Sequence, residues 1–172
     1  MLRAEILSDD AAERTRTGRM DELYRAHAPD ALRLAYLLTG DRQLAEDLTQ
    51  EAFVRILGRF RDLRSPDAFW WYLRKTVVNL ARSHFRRKKV EQSHAHREAP
   101  DHALAAPDVE ERDQLLHALR ALRPEVRAAV VLRYYEDLTE AQTAEVLGCA
   151  VGTVKSMLSR AKDRLRVELS ER

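Results

Sequence analysis

Apolar residues along this chain recur at intervals of three and four. Between Arg19 and Leu38 they fall at Leu23, Tyr24, His27, Ala31, Leu34, Ala35 and Leu38. From Arg42 to about Phe60 they fall at Leu44, Ala45, Leu48, Ala52, Phe53, Ile56 and Leu57, and from Ser65 onward at Phe69, Leu73, Val77 and Leu80. Each set lines one side of a helix. Pro29 is expected to bend or divide the first, and Thr39, Gly40 and Asp41 punctuate before the second. Ser65 suits the N-cap of the third, with Pro66 at its first position and Asp67 complementing its positive end. Past Gln114 the pattern resumes with Leu115, Leu116, Leu119 and Leu122, then Val126, Ala129, Val130 and Tyr134 behind Pro124. Thr139 and Gln142 stand at the spacing of a capping box, which opens a helix ending near Gly148. A last helix points Val154, Leu158, Ala161 and Leu165 inward. No period-two apolar run bounded by turn residues occurs, so the expected class is all-α, built as two small helical domains.

Charge divides the chain where periodicity does not. From Arg59 to Val90 ten Lys or Arg stand against two Asp, a local +8 in a chain of 172 residues whose total is +2. Residues 91–113 hold seven acids, two arginines, three histidines and two prolines, a net of −5, and are expected to be a flexible acidic linker. Residues 1–18 carry no sustained apolar face and are expected to be a mobile tail. The expected units are therefore 19–90 and 114–172. One cysteine, Cys149, leaves no internal disulfide and no cysteine-based zinc site. His94, His96 and His102 lack a partner at helical ligand spacing, so no metal and no cofactor is expected. With no secretory signal and no long apolar run, a cytoplasmic protein is the default. An enzyme is not expected, since no nucleophile and base stand at credible spacing.

Three stretches carry candidate chemistry. In SPDAFWWYLRKTVVNLARSHFRRKKV, Phe69 to Tyr72 lead into Arg82, Arg86, Arg87, Lys88 and Lys89. Rings that accept base faces beside cations that neutralise phosphates suit a nucleic acid with unstacked bases. A core helix with a solvated basic end is the plainer alternative. On the second helix, Glu46, Asp47, Gln50 and Glu51 point outward, either as a solvated face or as a dock for a basic partner. The third stretch has two helices at a short glycine turn, with Thr153, Lys155, Ser156, Ser159, Arg160 and Lys162 outside. It fits a helix-turn-helix DNA reader, or an ordinary helical hairpin.

The run DRQLAEDLTQEAFVRILGRF, followed by the aromatic-to-basic helix, resembles region 2 of bacterial RNA polymerase sigma factors. YYEDLTEAQTAEVLGCAVGTVKSMLSRAKDRLR resembles their region 4. Order, spacing and length are similar to the extracytoplasmic-function (ECF) group of the sigma-70 family, in the manner of its actinobacterial sigma-E-like members. The resemblance implies that Asp47, Gln50, Glu51 and Phe53 bind core polymerase. It implies minus-ten contacts from Arg59, Arg61, Leu63, Arg64, Trp71, Tyr72, Lys75, Asn79, Arg82, Arg86, Arg87 and Lys88, with the Arg59–Arg64 loop and Asn79 around a flipped base. It implies minus-thirty-five contacts from Thr153, Lys155, Ser156, Met157, Ser159, Arg160 and Lys162. The sequence departs from the family pattern at Tyr72, where many relatives carry Trp, at Ala150, where Ser or Pro is frequent, and at Met157, where many carry Arg.

The expectation is a sigma factor that directs promoter-specific initiation. Its implied partners are core RNA polymerase (the clamp of the largest subunit and the flap of the second), promoter DNA and an anti-sigma factor, with no membrane insertion. An autonomous helix-turn-helix regulator binding operator DNA is the alternative. It would have no use for an aromatic-basic helix beside an acidic face.

Overall fold

The computed structural model describes the backbone of residues 2–57, 66–94 and 110–170, and the side chains of 18–56, 68–92 and 114–166. Among these residues it is helical, without strands. α1 (Leu2–Thr39), α2 (Arg42–Leu57) and α3 (Pro66–His94) pack on one another, and α4 (Glu110–Arg120), α5 (Pro124–Val130), α6 (Glu140–Leu147) and α7 (Val151–Ser170) form a second group. Asp41 caps α2, accepting a bond from the Leu44 amide at 3.0 Å. Inward residues of the first three stripes, Leu34, Leu48, Phe53, Phe69, Leu73 and Val77, are buried as their spacing requires. No helix among the described residues is long and apolar enough to cross a membrane.

Four expectations change. The stretch expected to be a tail continues α1 back to Leu2, and Pro29 lies inside that helix without ending it. Ala, Glu and Arg between residues 3 and 16 are good helix formers, so a helix secured by its packed half can propagate through them. α3 runs to His94 and α4 begins at Glu110, both inside the range expected to be linker. Leu115 is exposed, and only Leu119 and Leu122 of its stripe are buried. Tyr134 is also exposed, because the helix after Val130 widens into a π turn, Val131–Tyr135. The extra residue in that turn rotates everything beyond it, burying Val131 and Leu132 and sending Tyr134 outward. The Ser65 cap, the His96 and His102 pair and the segment 95–109 lie outside the described residues.

The two groups share one apolar cluster, which runs from Leu34 and Phe69 through Leu132 to Val154. Arginines fasten the seam by bonding carbonyls at helix C-termini, where backbone acceptors are orphaned and the helix dipole is negative. Arg127, buried in α5, donates to Leu38 O of α1 at 2.9 Å, to Arg120 O at the end of α4 at 3.0 Å and to Leu122 O just beyond it at 3.2 Å. Burial, with Arg120 adding repulsion, brings its pKa down to about 10, so it remains a cation at neutral pH. Arg120 bonds Gly40 O. Gly40 sits at φ +68°, a left-handed conformation that favours glycine, and a Cβ there would press on the Arg120 side chain.

Candidate nucleic-acid interface

α3 divides its aromatics by depth. Phe69 is 1% exposed and packs near Phe53 and His27, with ring centroids 6.0 and 5.4 Å apart. Trp70 lies between the His27 ring at 5.6 Å, nearly parallel, and the Arg74 guanidinium at 5.1 Å; Arg74 also approaches Trp71 at 5.9 Å. Both tryptophans are half-buried against the core. Tyr72 is 51% exposed, so it is the ring that faces out of this block. At about 100° per residue, Tyr72, Asn79 and Arg86 fall within about 40° of one another and form a ridge about 21 Å long. Asn79 and Arg86 are exposed, as are Arg87 and Lys88, while Lys75 is half-buried at the ridge's edge. Arg86 bonds Ser83 Oγ at 3.3 Å. His84 is pushed below its ordinary pKa, first by burial and then by Lys88 and Arg87, so near neutral pH it adds no charge to this basic end.

Arg82 was expected on the same face, but it is half-buried and donates to Leu147 O at 2.7 Å, across the seam. Its position, about 80° round from Tyr72, turns it toward the second helical group. Arg59, Arg61, Leu63 and Arg64 lie outside the described residues.

On α2, Asp47, Gln50 and Glu51 are exposed on one face. Asp47 accepts from Gln43 at 3.2 Å and Glu51 pairs with Arg55, so the acids are oriented by their own helix. Phe53 is not on this face; it is buried, its ring tilted against that of Tyr24 with centroids 4.7 Å apart. It points inward because α2 packs that side on α1 and α3, so it can only support the acidic face from beneath. Val54 is the residue that the sequence reading missed: it is 66% exposed and lies one turn beyond Gln50 and Glu51. Its signal in the sequence was an aliphatic residue outside the apolar stripe.

The helix-turn-helix is built as its caps foretold. Thr139 accepts from the Gln142 amide while the Gln142 side chain accepts from the Thr139 amide, and Gly148 closes α6 at φ 65°, ψ 41°. Thr139→Ala is expected to cost about 1 kcal/mol, read as a lower melting temperature of the full chain. α7 then splits the expected contacts. Thr153, Ser156 and Arg160 are exposed on one outward face, with Met157 at its edge, half-buried against the core. Lys155, Ser159 and Lys162 are exposed beyond the buried stripe of Val154, Leu158 and Ala161, on the other side of the helix. Lys155 faces Glu140 of α6 at 3.8 Å, and Ser156 Oγ bonds Gly152 O. Among the described residues no three His, Cys, Asp or Glu come together as a metal site.

Residues 23–91 match the family model for sigma-70 region 2 and residues 112–165 that for sigma-70 region 4. The RNA polymerase sigma-E factor of Streptomyces avermitilis is 37% identical over 157 residues, covering 88% of this chain and 86% of that one. The ECF RNA polymerase sigma factor SigE of Mycolicibacterium smegmatis is 37% identical over 163 residues, covering 88% of this chain and 62% of that one. Two solved structures share the fold. The sigma factor RpoE of Bartonella quintana, in complex with the anti-sigma factor NepR, has a TM-score of 0.68 at 23% identity, covering 87% of this chain and 96% of that one. CnrH, in complex with the cytosolic domain of CnrY, has 0.61 at 20%, covering 88% of each. With both regions matched in order and relatives of this identity over most of its length, the chain belongs to the sigma-70 family of RNA polymerase sigma factors, in the ECF group.

Proposed function

We propose that this sigma factor opens and reads the minus-ten element with α3 and reads the minus-thirty-five element with α7, while α2 docks on core polymerase. The observation that carries this is the ridge on α3, where one exposed ring, one exposed amide and the exposed Arg86 follow each other along a single face, with Arg87 and Lys88 exposed around the same basic end. A phosphate backbone can run along Arg86, Arg87 and Lys88 while Tyr72 and Asn79 meet bases taken out of the stack. The Arg59–Arg64 loop completes the base pocket in this reading. On α7, Arg160, Thr153 and Ser156 address base edges, and Lys155 and Lys162 anchor phosphates from the flank. Met157, at the edge of the reading face, offers a thymine methyl an apolar contact but cannot pair bidentately with guanine.

The docking reading rests on Asp47, Gln50 and Glu51 exposed together on one face of α2, an acidic surface that suits a basic one such as the clamp of the largest subunit. Double charge reversal, Asp47→Lys with Glu51→Lys, is expected to weaken core binding at least about tenfold with helical content unchanged. Unaltered affinity would remove this face from the interface. The flap of the second subunit and an anti-sigma factor are proposed as further partners, the latter because one structural neighbour, RpoE, was solved in complex with one. The experiment for the whole reading is transcription in vitro with core enzyme on a promoter library. Selected promoters should share two spaced elements, and core enzyme alone should select none.

A further inference from the structure

α7 carries one acid among its cations, on the side of the helix turned straight away from the core. Between Val151 and Arg166 five Lys or Arg accompany a single carboxylate, that of Asp163. At about 100° per residue, buried Leu158 and Ala161 fall within about 40° of buried Val154. Gly152, Ser156, Ser159 and Asp163 fall within about 40° of the line diametrically opposite, and all four are exposed. Lys155, Lys162 and Arg166 stand to one side of this strip and Arg160 and Arg164 to the other, about 60–100° away and also exposed.

The strip is shallow where it begins and acidic where it ends. Gly152 has no side chain, and the Ser156 hydroxyl is turned back on its own helix, donating to Gly152 O at 3.0 Å. A helix of this section can sink into a major groove while the cations on either side meet the phosphate walls. Asp163 lies about 20° round from Ser156 and about 10.5 Å further along the axis, or about three base pairs at about 3.4 Å each. An ionised carboxylate only accepts hydrogen bonds. It is repelled by the phosphates, by guanine O6 and N7 and by thymine O4, and cytosine N4 offers it a donor with no acceptor alongside.

We propose that Asp163 is a specificity-determining residue of the minus-thirty-five reader, selecting cytosine and rejecting guanine at one position about three base pairs from the one that faces Ser156. The proposal rests on the reading of α7 given above. Asp163 acts chiefly by exclusion, since an acid lowered into the groove of a polyanion is stabilised only where a base amino group meets it. The flanking cations hold the helix on the duplex while the carboxylate discriminates among bases.

The test uses the full chain with core polymerase on a promoter library randomised through the minus-thirty-five element, with the minus-ten element held constant. Sequencing of transcribed templates gives the preference at each position, and thermal melting of each variant checks the fold. Wild type should favour cytosine over guanine at one position by at least about fivefold. Asp163→Ala should bring that ratio close to one, leave the other positions as they are and melt as wild type does, since the side chain is exposed. Asp163→Asn should move the preference to adenine, because an amide pairs with both N6 and N7. If Asp163→Ala instead strengthens every sequence alike, the carboxylate is only a charge among arginines and the proposal fails. Arg160→Ala separates this from the reading beneath it. Selection altered by Arg160→Ala but unmoved by both Asp163 variants would overturn the role of Asp163 alone; selection unmoved by all three would overturn the use of α7 itself.

Discussion

Phe69→Ala should destabilise the chain by about 3–5 kcal/mol, a large part of the 5–15 kcal/mol typical of a domain. The ring is almost wholly enclosed, against Phe53, His27 and the α1–α2 seam, in the cluster that joins the first three helices. Truncation loses the transfer energy of the ring and leaves a void that helices crossing at a shared centre can only partly close. Denaturant unfolding of the full chain measures it: the midpoint should fall with the slope unchanged. Trp70→Ala should also cost stability, since that ring is held between His27 and Arg74. A Phe69→Ala chain as stable as wild type would mean that the α3 aromatics are not the centre of the first helical group.

Tyr72→Ala should do the opposite, leaving unfolding nearly unchanged and reducing promoter opening about 5- to 150-fold, the range expected when about 1–3 kcal/mol of base stacking is lost. The ring is half in water and contributes little burial to lose. Tyr72→Trp should preserve or strengthen opening, because a larger face stacks at least as well. Asn79→Ala, on the same ridge, should blunt discrimination at one minus-ten position while leaving salt dependence intact; removing Arg86 and Arg87 should lower the salt slope for every sequence. If Tyr72→Ala opened promoters as wild type does, another ring, or the Arg59–Arg64 loop alone, would have to hold the bases.

The contrast between these neighbouring residues marks how far the site was legible. Spacing of three and four placed Phe69, Leu73, Val77 and Leu80 on the buried side, and by remainder put Asn79 and Arg86 outside. Beyond Phe69 it could not rank the other three aromatics, because consecutive rings spread about 100° apart around the helix. Depth was decided by His27 and Arg74, which take up Trp70 from either side. Phe53 shows the same limit on α2, where an interior stripe position had been carried into the docking set by resemblance and packing returned it to the core. On α7 the wheel was in the sequence, but which flank Lys155 would occupy depended on Glu140 being brought alongside by the turn at Gly148.

What the sequence by itself determined is local. Helical class follows from apolar periodicity, the helix-turn-helix from a capping box and a left-handed glycine, and the basic and acidic faces from charges left over once the stripes are assigned. These features depend on residues within one or two turns of each other, so the chain states them directly. Only the tertiary structure decided how the two regions meet. Arg74 and Glu136 are 62 residues apart, and Arg127 and Leu38 O are 89 apart. In the sequence Arg127 is one more charge in a charged chain, set between Val126 and Ala128. It becomes a seam residue because two helix C-termini, each with orphaned carbonyls and a negative dipole end, converge on it out of reach of water.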